Sequence, residues 1–128
     1  MNYYNSLFLS HGIQAQISVV IPDKLEISPY DLNIMLGNLL DNAYENVIKA
    51  NETKVMIDIK FDENVLYLSV ANTYNSKIKK ENGKIVSLKS KNHGYGLENI
   101  KRIAKKYNGD MKIEYNEKMF MVGLVLYL

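Results

Sequence analysis

The chain has 128 residues, 47% of them hydrophobic and 23% charged, the balance of one globular domain with a single core and not that of a disordered segment. It contains no cysteine, which excludes a disulfide framework and a thiolate metal site and suits a reducing cytoplasm, and no apolar run approaches the roughly 20 residues that cross a bilayer. The net charge of +2 is too small to call for nucleic acid, but it is unevenly spread: between Asn75 and His93, Lys77, Lys79, Lys80, Lys84, Lys89 and Lys91 face one acid, Glu81, so this segment carries +5 and the remainder −3.

After Met1, NYYNSLFLSHG reads as the end of a helix belonging to a longer parent. Ile13, Ala15, Ile17, Val19 and Ile21 then alternate along one face, which predicts a half-buried strand. A helix start follows, with Ser28 as N-cap, Pro29 at the first helical position and Asp31 in the first turn. Its apolar stripe is Leu32, Leu36, Leu39, Leu40, Ala43 and Val47, and it is expected to end near Ala50 and Asn51. A second stripe runs beside it through Asp31, Met35, Asn38, Asn42, Glu45 and Lys49.

Two alternating segments come next, Val55, Ile57, Ile59 and Phe61, then Leu66, Leu68 and Val70, joined by the polar DEN as a hairpin. The lysine-rich segment has no clean period and reads as a long loop, of a length often used as a functional lid. A second helix is expected from about Leu97 to Tyr107, ended by Asn108-Gly109 as a left-handed cap, and the strands MKIEY and FMVGLVLYL close the chain. One sheet with helices on one face accounts for this order, in a single domain spanning residues 1–128, with residues 1–11 as the end of a preceding helix.

Asn38 and Asn42 lie one turn apart on the first long helix, so their amides share a face at the edge of the apolar stripe. Asparagine is a mediocre helix former, because it competes for backbone hydrogen bonds. The pair is either a solvated face or a set of oxygen donors for a hard cation such as Mg²⁺, which takes oxygen ligands and leaves part of its shell to water and phosphates. Gly94 and Gly96 stand just before a helix start, where free N–H groups and the helix dipole favour an anion.

Three segments in order, LGNLLDNAYE, LYLSVANTYN and HGYGLENIKRI, resemble the N-box, adenine box and glycine box of the GHKL-type (Bergerat) ATPase domains shared by histidine kinases and gyrase. The motifs span roughly residues 29 to 109. GNLLDNA and HGYGLENI are most similar to sensor histidine kinases of the peptide-sensing, accessory-gene-regulator type. The resemblance implies a two-layer α/β sandwich with a mixed, largely antiparallel sheet and helices on one face. It implies Mg²⁺-ATP as cofactor and the activity of a protein-histidine kinase that passes the γ-phosphoryl to a histidine on a separate dimerisation domain.

On the matching positions the resemblance makes Asn42 and Asn38 the Mg²⁺ ligands, with Asn38 and Glu45 as the catalytic face of the helix. Asn72 becomes the adenine contact, and Gly94, Tyr95, Gly96 and Leu97 the phosphate loop. His93 belongs with that loop at the lid hinge and is not the phosphorylated histidine, while Lys89 and Lys91 screen the triphosphate. Asn38 stands where gyrase-like relatives have a catalytic glutamate, and an amide cannot take a proton, which suits transfer to a side chain and not to water. Asn72 replaces the aspartate of the usual Asp-x-Gly-x-Gly, and a neutral acceptor is weaker than an ionised one, so weak nucleotide binding is expected.

The partners implied are the histidine-bearing dimerisation domain and a response regulator, in a homodimeric parent anchored in the cell membrane with this domain on the cytoplasmic side. Alone, the domain is expected to be a monomer that binds no nucleic acid. Two other readings remain open at this level. One is an anti-sigma-factor type serine kinase, and the other is a degenerate module of the same fold kept for protein contacts.

Overall fold

Helix α1 (Asn2–Ser10) opens the chain, in a computed structural model that describes residues 2–75, 80–81, 84–85 and 95–128. It stops where Gly12 takes a left-handed conformation (φ 68°) and the N–H of Ile13 turns back to the carbonyl of Phe8 at 2.9 Å. Phe8 is fully buried, which fastens the helix to the body of the domain. His11 is a second fastening: its Nε2 lies 3.0 Å from the Tyr44 hydroxyl and its Nδ1 3.0 Å from the Leu7 carbonyl.

Strand β1 (Gln14–Val20) leads into helix α2 (Pro29–Val47), which crosses back to β2 (Lys54–Asp62). The crossover makes β1 and β2 parallel, with Ile17 opposite Ile57. β2 and β3 (Val65–Thr73) form an antiparallel hairpin whose two turn residues, Glu63 (φ 48°) and Asn64 (φ 67°), are both left-handed. That turn matches the twist of the flanking strands. Helix α3 (Tyr95–Lys106) follows, then β6 (Asp110–Tyr115) and β7 (Met119–Tyr127), which pair antiparallel. The Asn116 side chain closes their turn by accepting from the N–H groups of Lys118 and Met119, both at 2.8 Å.

The main sheet has the order β1-β2-β3-β7-β6, mixed at one edge and antiparallel elsewhere. Within the segment expected to be one long loop, residues 80–81 and 84–85 pair as a two-strand ribbon, β4 (Lys80–Glu81) and β5 (Lys84–Ile85). Among the described residues no helix is long and apolar enough to cross a membrane.

One face of the sheet supplies the core, with Ile57, Leu68, Val70, Phe120, Val122 and Leu124 packed against Leu39, Leu40, Ala43 and Val47 of α2 and Ile100 and Ala104 of α3. Burying each large aliphatic side chain contributes about 1.5–3 kcal/mol, so this interlayer dominates stability. The alternation on β2 and β3 is as the sequence suggests, and β7 alternates in the same way. On β1 it is not: Ile17 and Val19 face the helix side yet stay 39% and 44% exposed, because α2 lies mainly over β3 and leaves the edge strand bare.

The second stripe on α2 also differs from a solvated face. Asp31, Met35 and Asn42 are buried, since α3 packs along that side. At the far end of α3 the left-handed residue is Asn108 (φ 59°), not Gly109. Gly109 is required for another reason: a Cβ there would fall 1.6 Å from the Val125 carbonyl oxygen.

Candidate functional site

The site is built from α2 outward. Asn38 is half-buried and its Nδ2 donates to the Ile34 carbonyl at 2.9 Å, a bond to the preceding turn that sets the amide's orientation. A carbonyl can only accept, so the Asn38 oxygen is the end left for a ligand. Asn42, one turn on, is 5% exposed. Glu45 is half-buried on the next turn.

Across the interlayer stands β3. Leu66, Leu68, Val70 and Asn72 share its helix-facing side, so Asn72 is the polar end of an otherwise apolar row. It is 1% exposed, and its Nδ2 donates to the Thr73 carbonyl at 2.9 Å. Thr73 holds the strand end in place: its hydroxyl accepts from the Lys54 N–H at 3.0 Å and donates to the Glu52 carbonyl. Beyond it lies a cleft of about 290 Å³ lined by Asn51, Glu52, Thr73, Asn75, Glu117 and Lys118. Its two carboxylates share the cleft with Lys118, and Glu52 is paired with Lys54 at 2.9 Å.

Helix α3 begins with Tyr95 and Gly96, one to two residues earlier than the sequence predicts, so Gly96 is inside its first turn and buried. The N–H groups of a first turn have no partner within the helix. Leu97 is half-buried against the core. Lys89, Lys91, His93 and Gly94 lie outside the described residues.

What aligns α3 with α2 was not read from the sequence. Asp31, 7% exposed, accepts from Lys106 Nζ at 2.8 Å and from the Tyr107 hydroxyl at 2.6 Å, and that hydroxyl accepts from the Ser28 N–H at 3.1 Å. Lys106 and Tyr107 donating to it hold the Asp31 carboxyl below its ordinary value, and Asp31 in turn raises Lys106. From this pin Asn42 is eleven residues along α2 and Gly96 ten residues back along α3. At the helical rise of about 1.5 Å per residue the two turns stand at matching distances from the pin.

Asn46 is the other residue that sequence reasoning missed, although its spacing of four after Asn42 was in plain view. It is 2% exposed and its Nδ2 donates to the Asn42 carbonyl at 2.9 Å. Among the described residues, no group of three or more His, Cys, Asp or Glu side chains could hold a metal ion. The oxygens at hand are amides, a donor set suited to a hard cation that shares its shell with phosphates.

The fold and this ordered set define an ATPase-type α/β sandwich. A family model described as GHKL domain matches residues 27–127, and the chain belongs to that family. No curated protein matches it. Among solved structures, a nucleotide-free form of the catalytic domain of histidine kinase ThkA superposes with a TM-score of 0.72 at 18% identity, over 98% of this chain and 85% of that one. Acinetobacter baumannii histidine kinase AdeS gives 0.67 at 11% identity, over 98% of this chain and 61% of that one. Full-length ShkA in complex with AMPPNP gives 0.70 at 14% identity, over 98% of this chain and 28% of that one. The chain thus spans about three-fifths of the length of AdeS and less than a third of ShkA.

Proposed function

We propose that this domain binds Mg²⁺-ATP and serves as the catalytic, ATP-binding part of a sensor histidine kinase. The observation that carries the reading is the buried Asn42 amide, one turn from Asn38 on a GHKL-family helix. Asn42 and Asn38 would hold Mg²⁺, with Asn72 toward the base and the first turn of α3 toward the phosphates. Mg²⁺-ATP would supply the transferable phosphoryl group and the charge neutralisation that its transfer needs.

The chain's own residues then bind and orient. Asn38 cannot serve as a base toward water, which suits passage of the group to a side chain. The acceptor histidine belongs to a separate dimerisation domain of a homodimeric, membrane-anchored parent, with this domain on the cytoplasmic side and a response regulator as the next recipient. GNLLDNA and HGYGLENI support placing that parent among the peptide quorum sensors.

Calorimetry with ATP and ADP, with and without Mg²⁺, tests the reading. Weak, Mg²⁺-dependent binding is expected, and Asn42→Asp should change the Mg²⁺ dependence far more than Asn51→Asp does. No binding at millimolar nucleotide would sink the proposal in favour of a module that acts through protein contacts. Equal effects of the two substitutions would remove the metal role from Asn42.

A further inference from the structure

The face of the sheet turned away from α2 and α3 is open, with Met56 and Tyr67 on it 43% and 44% exposed. Strand pairing sets its residues in rows across β2, β3, β7 and β6. One row runs Asp58, Ser69, Gly123, Lys112, and the next runs Lys60, Tyr67, Val125, Asp110. Met56 and Met121 bound the other side of the first row. In these rows the central strands carry small and apolar side chains, while the charges stand on the two flanking strands and are all exposed. Their signs run in opposite order: acid then base on β2, base then acid on β6.

Gly123 stands at the middle of this face, in a trough of about 410 Å³ that Tyr67, Met121 and Val125 help to line. The fold itself does not require a glycine there. Its backbone is not left-handed, and a Cβ would meet only the Lys112 carbonyl oxygen at 3.9 Å, an ordinary contact. A glycine inside a strand costs about 0.5–1 kcal/mol against alanine, and it often marks the close approach of another surface. With Ser69 beside it, Gly123 keeps the centre of the face low, so that the side chains of an opposing surface can settle between Tyr67 and Met121.

The order of the charges identifies that surface. A second copy laid face to face by a two-fold axis parallel to the strands, between β3 and β7, sets β2 of one copy over β6 of the other. Level by level, Asp58 then meets the second copy's Lys112 and Lys60 meets its Asp110, each pair occurring twice by symmetry. An axis across the strands would instead set Asp58 on Asp58 and Lys112 on Lys112, which like charges oppose. We propose that the outer face of the sheet is a self-association surface, where two copies pack as aligned sheets through Tyr67, Gly123 and Val125 and are held in register by these ion pairs. Four strands over five residues project roughly 300 Å², against about 800 Å² per partner in a stable complex, so the contact is weak. It forms where two copies are held close together, as in a homodimeric parent. The isolated domain is then a weak dimer at high concentration, in place of the monomer expected from the sequence. None of this depends on nucleotide binding.

Sedimentation equilibrium on the full chain tests this, with wild type, Asp58→Lys, Lys112→Glu and an equal mixture of the two variants. Wild type is expected to dimerise with a Kd of about 0.1–1 mM. Each variant alone sets like charges face to face at two places and should weaken association about tenfold or more. In the mixture each new charge meets its opposite on the other chain, so association should return to within about threefold of wild type. Lys112 lies 3.5 Å from Glu114 on its own chain. Should Lys112→Glu therefore fail to fold, Lys60→Glu and Asp110→Lys are measured and mixed in the same way. Wild type that stays monomeric at about 1 mM overturns the proposal and leaves the face to a different partner or to solvent. A dimer that neither variant weakens, or a mixture no stronger than its components, also overturns it.

Discussion

The two ends of α2 handle buried polarity in opposite ways. Near its start, Asp31 is 7% exposed, yet it receives hydrogen bonds from Lys106 and Tyr107, and Tyr107 is in turn satisfied by the Ser28 N–H. Near its end, Asn42 and Asn46 are as deeply buried, but Asn46 engages only its nitrogen and leaves its oxygen without a partner among the described residues. The first arrangement is complete within the chain and holds two helices in register. The second leaves a buried acceptor unmatched among the described residues, a cost that the first avoids. One helix thus carries a satisfied polar cluster near its start and an unsatisfied one near its end.

Substitutions at the satisfied end should lower stability, whereas Asn46→Leu removes an unmatched buried oxygen and should leave the melting temperature at or above that of wild type. The largest effect belongs to the close approach that follows α3. Gly109→Ala would drive a methyl group into the Val125 carbonyl, and backbone cannot yield as a side chain can. A loss of more than about 3 kcal/mol is expected in urea unfolding. A variant with wild-type stability would break the argument that this approach fixes the helix to the sheet.

Tyr107→Phe removes one donor to Asp31 and the acceptor of the Ser28 N–H while keeping the ring. About 1–3 kcal/mol should go, seen as a lower melting temperature. An unchanged melting curve would mean that the Asp31 cluster is ornamental.

The smallest effect is confined to acid. The Asp31 carboxyl is depressed in the folded chain, so its contribution is present above the ordinary value of 3.8 and lost as pH falls through the folded-state value. Lys106 is raised, so its share is present below 10.5 and lost only as pH climbs through its own folded value. Between these limits the pair stays charged. Asp31→Asn should therefore differ most from wild type near neutrality and converge with it as pH falls through the depressed folded-state value. A difference that widens toward acid would contradict the pairing.

Much of this architecture was legible in the chain. Period-two runs placed β2 and β3, and Ser28-Pro29 marked the start of α2, because strand alternation and helix caps are local physics. The family resemblance brought Asn38, Asn42 and Asn72 forward. Burial against a distant partner was not legible. Asp31 and Met35 looked like a polar face until α3 covered them, and nothing near Asp31 in sequence announces Lys106 and Tyr107, 75 and 76 positions away. Asn46 escaped for a related reason: without the sheet beneath it, a third asparagine on a helix looks like surface. Exposed Ile17 and Val19 show the reverse error, since alternation reports which residues share a face and not whether anything lies over it.

The turn at Glu63 and Asn64 sets a limit on how this chain can change in length. Strand faces repeat every two residues, and the two-residue turn fixes Val55 opposite Asn72. Were a single inserted residue there to shift the pairing by one, Tyr67 and Ser69 would turn toward the helices, and Leu66, Leu68 and Val70 toward water. Asn72 would leave the interlayer with them. Single-residue insertions that shift the register are thus barred by parity, and the position of a candidate base contact depends on a count kept eight residues away, at the other end of its strand.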